Sequence, residues 1–503
     1  MNEHNFDEIL KIAAPELPPD EIVRKVTPWS KSMNRILVGM ALSTVTLNFL
    51  ALNFIIPTIG MILLLLGFRT LKRENKWFKS CLMLTILRAC SYFPLIILNA
   101  TIYQNSVYNS PLGTAINIVN SLLQILLVIC FYSAIKTVQK KAGIPAKTKS
   151  AVALLIWYTA VIFLAFAEFN GLVIGAIAIV CYILIIRSLY NISKETEKSG
   201  YAVKASEVYI SDRSLAKILV IVLIIGIISS NYLFGSYNMD WKAEEGERNK
   251  EIIEIKDELL SLGYPKLALE DLSDDDIYDC KGALQVVFRE DDKPINNGRE
   301  VRNAEGNTTI IKIVYDVKEL HLTHVAVEIS GEKPQWRIFH HFLWTVNNGF
   351  IGTELLQLWP AYRNSDGWEA AGELKGRVLY DENGIIYTAP FNSLAVESYT
   401  SDSIFWGKQD LADIFATFSM PKKGERQRGY VSYSIKEIQE GFMVNAWVNY
   451  THQTSRLQYP VLTAAEKRKL SDWNNSYPFI TVQSALQFFR AEDGIELLSE
   501  SNS

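Results

Sequence analysis

The stretch RTLKRENKWFK, Arg69–Lys79, separates two apolar runs and carries five basic residues in eleven. The runs on either side of it, Ile36–Phe68 and Ser80–Tyr103, are long enough to cross a bilayer, because about 20 apolar residues in a helix span a hydrocarbon core of about 30 Å. Lys and Arg in short loops are retained on the cytoplasmic side of a membrane. The stretch therefore predicts a cytoplasmic loop between membrane-spanning segments.

Five apolar runs in the first half predict about seven transmembrane helices. Three runs fit one crossing each: Ser80–Tyr103, Pro111–Ile135 and Leu215–Phe234. Two others, Ile36–Phe68 and Ala151–Ile186, would form helices of about 50 Å and about 54 Å, which are too long for one crossing. Asn53 and Pro57 lie near the middle of the first run, and residues 168–171 interrupt the second with turn-forming chemistry. We therefore predict two crossings in each.

The basic residues alternate between the predicted loops, as the positive-inside rule requires. One side carries five, five, five and six Lys and Arg residues in the segments 1–35, 69–79, 136–149 and 187–217. The other side carries none around Asn53, in Thr101–Thr114 and around Glu168. We predict a plasma-membrane protein with a cytoplasmic N-terminus and an extracytoplasmic second half. A single crossing in Ile36–Phe68 would reverse only the N-terminus, whereas a single crossing in Ala151–Ile186 would place the second half inside.

The two halves of the chain differ in net charge. Residues 1–239 contain 22 Lys and Arg against 12 Asp and Glu, a balance of +10, whereas residues 240–503 contain 28 against 42, a balance of −14. The basic half indicates loops that face the anionic headgroups of a lipid bilayer, and the acidic half argues against nucleic acid as a partner. Cys280 is the only cysteine of the second half, so this domain has no internal disulfide and depends on its apolar core.

The sequence predicts a membrane all-α bundle of about seven transmembrane helices, followed by an extracytoplasmic α+β domain with a mostly antiparallel sheet. The predicted parts are a cytoplasmic tail (1–35), a seven-helix transmembrane region (36–234), a linker with a juxtamembrane amphipathic helix (235–263) and the α+β domain (264–503). Within the linker, Ala243–Leu262 has an apolar stripe at helical spacing, and Gly263 ends it. Ser273 and Asp276 have the spacing of a capping box at the start of a further helix.

Alternating and β-branched residues predict several strands in the second half. Thr308–Val317 and Leu322–Ile329 are two of them, and a turn at Gly331–Pro334 leads from the second into a further strand. The pair Asn383-Gly384 predicts a hairpin with a type I′ turn. A further hairpin is predicted from Gly429–Ile435 and Phe442–Tyr450, and two short helices from Ala464–Ser471 and Thr481–Arg490.

Aromatic residues in a turn-like loop are the first candidate binding site. Most of the tryptophans in the second half are expected to fill a β core. The loop LWPAYRNSDGW, Leu358–Trp368, differs because its rings fall in sequence typical of a surface loop, where they can contact a peptide or glycan. The predicted ligand-binding residues are Trp359, Tyr362, Arg363 and Trp368.

Polar residues inside the predicted membrane helices are the second candidate site. Arg88 lies about 13 Å along its helix from Lys79, and an ionisable residue within a membrane is a functional candidate unless it reaches the interface or bonds a neighbouring helix. Asn117, Asn120 and Gln124 share one helix face. Such a stripe either lines a passage or forms hydrogen bonds between helices.

The sequence contains few signs of catalysis or of metal binding. It has no short nucleophile motif, phosphate-binding glycine loop or HExxH zinc motif. The acidic run at residues 274–276 does not match the spacing of a calcium-binding loop. His321 and His324 should face opposite sides of a strand, as should His340 and His341, so neither pair forms a metal clamp. We predict no metal and no cofactor.

Three segments resemble multi-pass membrane proteins of low-GC Gram-positive bacteria to which no activity is assigned. The segments are PPDEIVRKVTPWSKSMNRIL (18–37), GFRTLKRENKWF (67–78) and HHFLWTVNNGFIGTELLQLWPAYR (340–363), and the resemblance spans most of the chain. It implies a host class and transfers no functional residue.

These features favour a non-enzymatic, membrane-anchored recognition or sensing module. Its ligand would be an envelope protein, a peptide or a wall glycan. The alternatives are a component of a membrane transport system and a surface hydrolase with a catalytic set assembled from distant residues. The sequence does not choose an oligomeric state.

Overall fold

The chain divides into two compact units, Met1–Tyr232 and Leu233–Ser503. A computed structural model describes residues 28–44, 52–167, 171–201, 203–206, 209–244, 249–296, 298–305, 308–331, 333–346, 349–359, 367–403, 407–470, 478–491 and 494–498. The first unit is helical, and the second is built mainly of antiparallel strands. This confirms the predicted fold class, a helical region followed by a domain with a mostly antiparallel sheet.

Within its described residues, the first unit contains eight helices. They are α1 (Pro28–Thr44), α2 (Leu52–Leu71), α3 (Lys76–Leu98), α4 (Gln104–Tyr108), α5 (Pro111–Lys141), α6 (Lys149–Phe166), α7 (Leu172–Lys198) and α8 (Asp212–Phe234). Six of them, α2, α3, α5, α6, α7 and α8, are long and apolar enough to cross a membrane. Helix α1 has 17 residues, among them Lys31 and Arg35, and stands outside this group.

Two helices, α1 and α2, contain the described residues of the run Ile36–Phe68, as predicted. Asn53 and Pro57 lie in the first two turns of α2, not between the helices. Glycine brings the two backbones together, since a Cβ atom on Gly60 would lie 2.6 Å from the backbone nitrogen of Ser43. A Cβ atom on Gly39 would lie 2.9 Å from the Gly60 carbonyl oxygen. The helices therefore pack in direct backbone contact.

Helices α6 and α7 form an antiparallel hairpin, which confirms that the run Ala151–Ile186 is two helices. The indole Nε1 of Trp157 donates to the carbonyl oxygen of Ala178 at 2.9 Å. Towards the other end of the pair, the Ser150 and Ser188 hydroxyl oxygens are 2.6 Å apart. These bonds hold α6 and α7 side by side along most of their length.

Two antiparallel sheets and a two-stranded ribbon form the second unit. The strands are β1 (Lys242–Ala243), β2 (Ala283–Lys293), β3 (Arg299–Glu305), β4 (Thr308–Val314), β5 (Leu320–Ile329), β6 (Gln335–Trp344), β7 (Glu354–Trp359), β8 (Trp368–Ala370), β9 (Lys375–Glu382), β10 (Ile385–Ala389), β11 (Ser393–Ser403), β12 (Gly407–Phe418), β13 (Glu425–Glu437), β14 (Val444–Gln453), β15 (Phe479–Ala491) and β16 (Gly494–Leu497). The first sheet has the order β1-β10-β9-β13-β6-β5-β2, with β8 also pairing with β13, and the second has the order β11-β12-β7-β14-β15-β16. Strands β3 and β4 pair with each other in the ribbon.

The two sheets share one apolar core. Leu322 and Phe342 of the first sheet pack in the same buried cluster as Leu358 and Leu486 of the second. Such a cluster requires the two sheets to lie face to face, as in a β-sandwich. Along each strand, alternate residues therefore point into the sandwich or away from it.

Short helices cover the outer face of the first sheet. They are α9 (Lys250–Ser261), α10 (Lys266–Glu270) and α11 (Asp274–Tyr278). Ile255 of α9 and Leu269 of α10 share a buried cluster with Val325 and Phe339 of the sheet. Helix α9 begins seven residues later than predicted, because Asn249 caps it and Ala243 pairs in β1. A fourth short helix, α12 (Ala464–Lys469), packs against the second sheet.

The predicted hairpins have mixed outcomes. Strands β9 and β10 pair around Asn383 and Gly384, whose φ angles of 54° and 77° are those of a type I′ turn, so this prediction is confirmed. The hairpin of β5 with β6 is also present. The hairpin of Gly429–Ile435 with Phe442–Tyr450 is wrong, since β13 pairs with β6 and β9, whereas β14 pairs with β7 and β15. Strands β13 and β14 are therefore adjacent in sequence but belong to different sheets.

The predicted helix Thr481–Arg490 is wrong and forms part of strand β15. Ser484, Leu486 and Phe488 are buried at every second position, and β15 pairs with β14 over ten residues. The same segment also has apolar residues at helical spacing, so its sequence period is ambiguous. Burial between two sheets decides in favour of the strand.

Candidate functional site

The four predicted aromatic-loop residues do not form one surface. Trp359 is half-buried and stacks on Trp447, with ring centroids 5.9 Å apart and planes at 13°. Trp368 is only 8% exposed, and its Nε1 donates to the Met443 carbonyl oxygen at 3.2 Å. The expectation that Trp368 is displayed is therefore wrong, because it belongs to a core strand. Tyr362 and Arg363 lie outside the described residues.

The three predicted polar residues of α5 differ in their surroundings. The Ser91 hydroxyl of α3 donates to Asn120 Oδ1 at 2.6 Å. Of the two alternatives for this stripe, Asn120 therefore forms a hydrogen bond between helices. Asn117 is exposed. Gln124 is buried, and its Oε1 has no hydrogen-bond partner among the described residues.

Arg88 lies on the neighbouring helix α3 with an unsatisfied donor. Its Nη1 atom is buried and has no hydrogen-bond partner in the described part of the chain. Arg88 lies near Tyr158 of α6 and Tyr182 of α7, and Gln124 lies near Tyr158 as well. Arg88 and Gln124 thus share Tyr158 as a neighbour. A buried donor and a buried acceptor that the described residues leave unpaired mark this part of the helical unit as a candidate polar site.

The outer face of the first sheet carries a buried ion pair that the sequence did not reveal. Asp276 Oδ1 accepts from Arg337 Nη2 at 3.0 Å and from the Ser432 hydroxyl at 2.6 Å. Asp276 Oδ2 accepts from the hydroxyls of Tyr430 at 2.7 Å and Ser273 at 2.6 Å. Burial alone would raise the pKa of Asp276, but these hydrogen bonds and the Arg337 charge outweigh it and lower the pKa.

Of the two hydrogen bonds that define the predicted capping box, only one is present among these residues. Ser273 does cap α11, since its hydroxyl accepts from the Asp276 backbone N–H at 3.2 Å. The Asp276 carboxylate does not return to the Ser273 backbone, whose N–H donates to the Tyr430 hydroxyl at 2.9 Å. The carboxylate turns instead towards Arg337, because a buried guanidinium without an anion would be strongly destabilising.

A second buried carboxylate, Asp271, continues the ion network towards the sheet edge. Its Oδ1 accepts from Arg428 Nε at 2.7 Å, and its Oδ2 lies 2.9 Å from His341 Nε2. Burial opposes ionisation here too, but His341 and Arg428 together lower the pKa of Asp271. Arg377 donates to the Asp271 carbonyl oxygen at 2.8 Å, and Arg428 also reaches Asp381 at 2.7 Å. The short helices are therefore joined to the sheet by paired charges as well as by apolar packing.

A cleft of about 300 Å³ opens beside this network. Asp275, Lys375 and Arg377 form part of its charged lining, and Leu374 and Phe391 form part of its apolar lining. We call it the Arg377 cleft. A lining that contains both charged and apolar side chains fits a small ligand with both polar and apolar groups.

The charges of the Arg377 cleft are held in place by neighbours. Lys375 Nζ lies 2.6 Å from Asp279 Oδ2, and Arg377 Nη2 lies 2.9 Å from Glu244 Oε1. Asp275 is exposed at the mouth. Because the cations are already oriented, a ligand loses little ordering entropy on entering.

A chain of hydrogen bonds crosses the interior of the sandwich at another place. His324 Nδ1 lies 2.8 Å from His340 Nδ1, and His324 Nε2 lies 2.8 Å from the Ser484 hydroxyl, which donates to Asp291. The Ser484 oxygen therefore accepts from His324 Nε2–H, and neutral His324 accepts from His340. His340 Nε2 has no hydrogen-bond partner within the described ranges.

This chain does not have the arrangement of a serine nucleophile and its base. In such a pair the serine proton passes to the histidine, whereas Ser484 gives its proton to Asp291. His324 and His340 are 0% and 1% exposed. Burial, with the positive charges of Arg289 and Lys293, lowers the pKa of His324 to about 3. The predicted separation of neighbouring histidines within strands holds, but pairing across strands brings two of them together.

Among the residues that the structure describes, no group of three or more His, Cys, Asp or Glu side chains has a geometry for holding a metal ion. Cys280 is buried, and burial raises the pKa of its thiol to about 12. This thiol is therefore a packing group.

Comparison with known proteins gives little further information. No protein-family model matches the chain, and no curated protein matches it. A solved structure of a protein named "Pore forming protein" is similar at 8% identity, over 40% of this chain and 100% of that chain, with a TM-score of 0.19. A score this low supports no conclusion about fold or function.

Proposed function

We propose that this protein is a membrane-anchored recognition module. The apolar helices hold the β-sandwich unit at the extracytoplasmic face of the plasma membrane, and the Arg377 cleft binds a small polar ligand, either a peptide or a wall glycan. The observation that carries the proposal is the cleft itself, whose lining combines oriented charged side chains with apolar ones. A wall ligand also fits the resemblance to membrane proteins of Gram-positive bacteria.

The orientation is supported by the helical hairpin α6–α7. With two helices there, the basic connections before α3, before α6 and before α8 all fall on the same side of the membrane. The positive-inside rule assigns that side to the cytoplasm. Helix α8 then ends outside, whether or not α1 crosses.

Site-directed photo-crosslinking in intact cells tests the ligand site. A benzoylphenylalanine at position 275, at the mouth of the cleft, should give a covalent adduct on irradiation. The matched control is position 489, where Phe489 is exposed on a strand of the other sheet and already carries an aromatic ring. Lys375→Ala should reduce the adduct at position 275. Adducts of equal yield at 275 and 489, or none at 275, would contradict the proposal.

A transport component is the second candidate, because Arg88 and Gln124 present polar atoms that the described residues leave without partners, beside a shared tyrosine in the helical unit. A fixed cation in this position would attract a small anion. Iodide flux into proteoliposomes tests this directly. Flux that falls with Arg88→Gln and persists with Lys79→Gln, an exposed residue in the first turn of α3, would support transport. No flux above that of empty vesicles would remove this candidate.

A further inference from the structure

A second cavity, of about 280 Å³, lies in the β-sandwich unit at the point where the chain leaves α8. Its lining includes Ser236, Tyr237 and Trp241 from the segment after the helix, and Met420, Lys422 and Arg456 from the sandwich. We call it the exit cavity. It is separate from the Arg377 cleft and shares no lining residue with it.

Covalent geometry keeps the exit cavity near the end of the apolar helix. Ser236 follows Phe234, the last residue of α8, by two positions. Two residues of extended chain span at most about 7 Å. If α8 crosses the bilayer, this part of the cavity lies within reach of the lipid headgroups.

The lining of the exit cavity is positively charged although the unit around it is acidic. Lys422 and Arg456 are its charged members, and no Asp or Glu of the described residues lines it. Residues 240–503 as a whole carry 42 acidic against 28 basic residues. A cavity with this cationic lining in an acidic unit indicates an anionic ligand.

Hydrogen bonds hold the wall of the cavity in place. Arg456 Nε donates to the Ile351 carbonyl oxygen at 3.1 Å. The Ser419 hydroxyl donates to the Gly352 carbonyl oxygen at 2.7 Å and accepts from the Tyr237 backbone N–H at 3.0 Å. The segment that leaves α8 is thus fixed to the sandwich at the cavity wall.

We propose that the exit cavity binds the phosphate-bearing headgroup of an anionic membrane lipid. Lys422 and Arg456 supply charge-assisted hydrogen bonds to the phosphate oxygens. Trp241 and Met420 offer amphipathic and apolar surface for the glycerol and the first acyl carbons, as aromatic residues do at membrane interfaces. The bound lipid would hold the start of the sandwich unit at the membrane surface. This inference does not depend on the ligand of the Arg377 cleft.

Native mass spectrometry of the full chain, released from micelles doped with phosphatidylglycerol or phosphatidylcholine, tests the proposal. The wild-type protein should retain phosphatidylglycerol in preference to phosphatidylcholine. Lys422→Ala should weaken that retention about fivefold, the factor expected for one lysine facing anionic lipid. Lys423→Ala is the matched control, since Lys423 is the adjacent exposed lysine outside the cavity lining.

The outcomes separate a specific site from a general charge effect. Loss of lipid from Lys422→Ala with full retention by Lys423→Ala supports the site. Equal loss from both variants, or from neither, overturns it. Addition of inorganic phosphate or glycerol phosphate distinguishes the source of the phosphate group. Displacement of the lipid by either soluble ion at millimolar concentration would overturn the assignment to a lipid.

Discussion

Replacing Asp276 with alanine should destabilise the β-sandwich unit more than any nearby surface change. The carboxylate accepts four side-chain hydrogen bonds, including the one from Arg337, and both residues are 2% exposed. Asp276→Ala removes the buried anion of the Arg337 guanidinium and leaves it only the half-buried Asp279, whose Oδ2 lies 3.3 Å from Arg337 Nη2. Breaking a buried ion pair in this way costs about 3–5 kcal/mol. Because a domain is stable by about 5–15 kcal/mol, this loss is a large part of the total.

Asp275→Ala is the matched control. Asp275 is the preceding residue of the same helical turn, but it is exposed. Its removal costs at most about 1 kcal/mol, through the helix dipole. The double variant Asp276→Ala with Arg337→Met should recover part of the lost stability, because no uncompensated charge then remains.

Urea unfolding of the full chain in detergent, followed by tryptophan fluorescence, measures the effect. Eight of the eleven tryptophans lie in residues 240–503, so the signal reports mainly on the β-sandwich unit. The transition midpoint should fall strongly for Asp276→Ala and hardly at all for Asp275→Ala. If the two variants unfold at the same urea concentration, the buried pair does not stabilise the unit and the reasoning is refuted.

The same carboxylate should produce a dependence on pH. The pKa of Asp276 is lowered in the folded chain, so its contribution is fully present above the unfolded value of about 3.9. It is lost as the pH falls from that value through the lowered folded pKa. Asp276→Ala should therefore remove part of the stability change below pH 4, which urea midpoints measured at a series of pH values would detect.

Four further predictions test other parts of the structure. The pKa of His324 is about 3 in the folded chain, against about 6.5 in the unfolded chain. Stability should therefore fall as the pH drops from 6.5 towards 3. In the same urea assay, His324→Phe should make the transition midpoint depend less on pH between 6.5 and 4. Gly60→Leu should separate α1 from α2, because even a Cβ atom at this position would lie 2.6 Å from a backbone nitrogen. Cysteine crosslinking between the two helices should then fail. Gly175→Leu, where a Cβ atom would meet nothing within 4 Å, should leave the crosslinking intact. Gly384→Ala should cost about 1 kcal/mol, because its φ of 77° disfavours a Cβ, and an unchanged thermal midpoint would contradict the turn assignment. A periplasm-dependent reporter fused after Ser503 should be active, and a silent reporter would overturn the proposed orientation.

Much of the fold was predictable because apolar length and loop charge act locally along the chain. The splitting of Ala151–Ile186 into α6 and α7 follows from helix length alone. The turn at Asn383 and Gly384 was also predictable, since positive φ angles at two successive positions need these residue types. Prediction failed where one sequence fits both the helix period and the strand period, as in Thr481–Arg490. There only the facing sheet determines which residues are buried.

The candidate sites were less predictable because they join residues far apart in sequence. Asp276 is 61 positions from Arg337, and no local pattern connects them. One signal was available: Arg337 is a charged residue between apolar residues at the start of the strand QWRIFHHFLW, and a buried cation requires a buried anion. The contact between His324 and His340 could be predicted only from the register of β5 with β6, which no local sequence pattern determines. Trp368 was predicted to lie in a surface loop because its neighbours have turn-like sequence, but it pairs with β13 as part of β8.

Strand β15 has a consequence for how the protein is made. It supplies Leu486 and Phe488 to the shared core, and its Ser484 meets Asp291, which was synthesised 193 residues earlier. Contacts so distant in the chain form slowly, and here they cannot form until residue 484 has left the ribosome. Until then the interior of the nascent unit stays open, and its exposed apolar surface is accessible to chaperones and proteases.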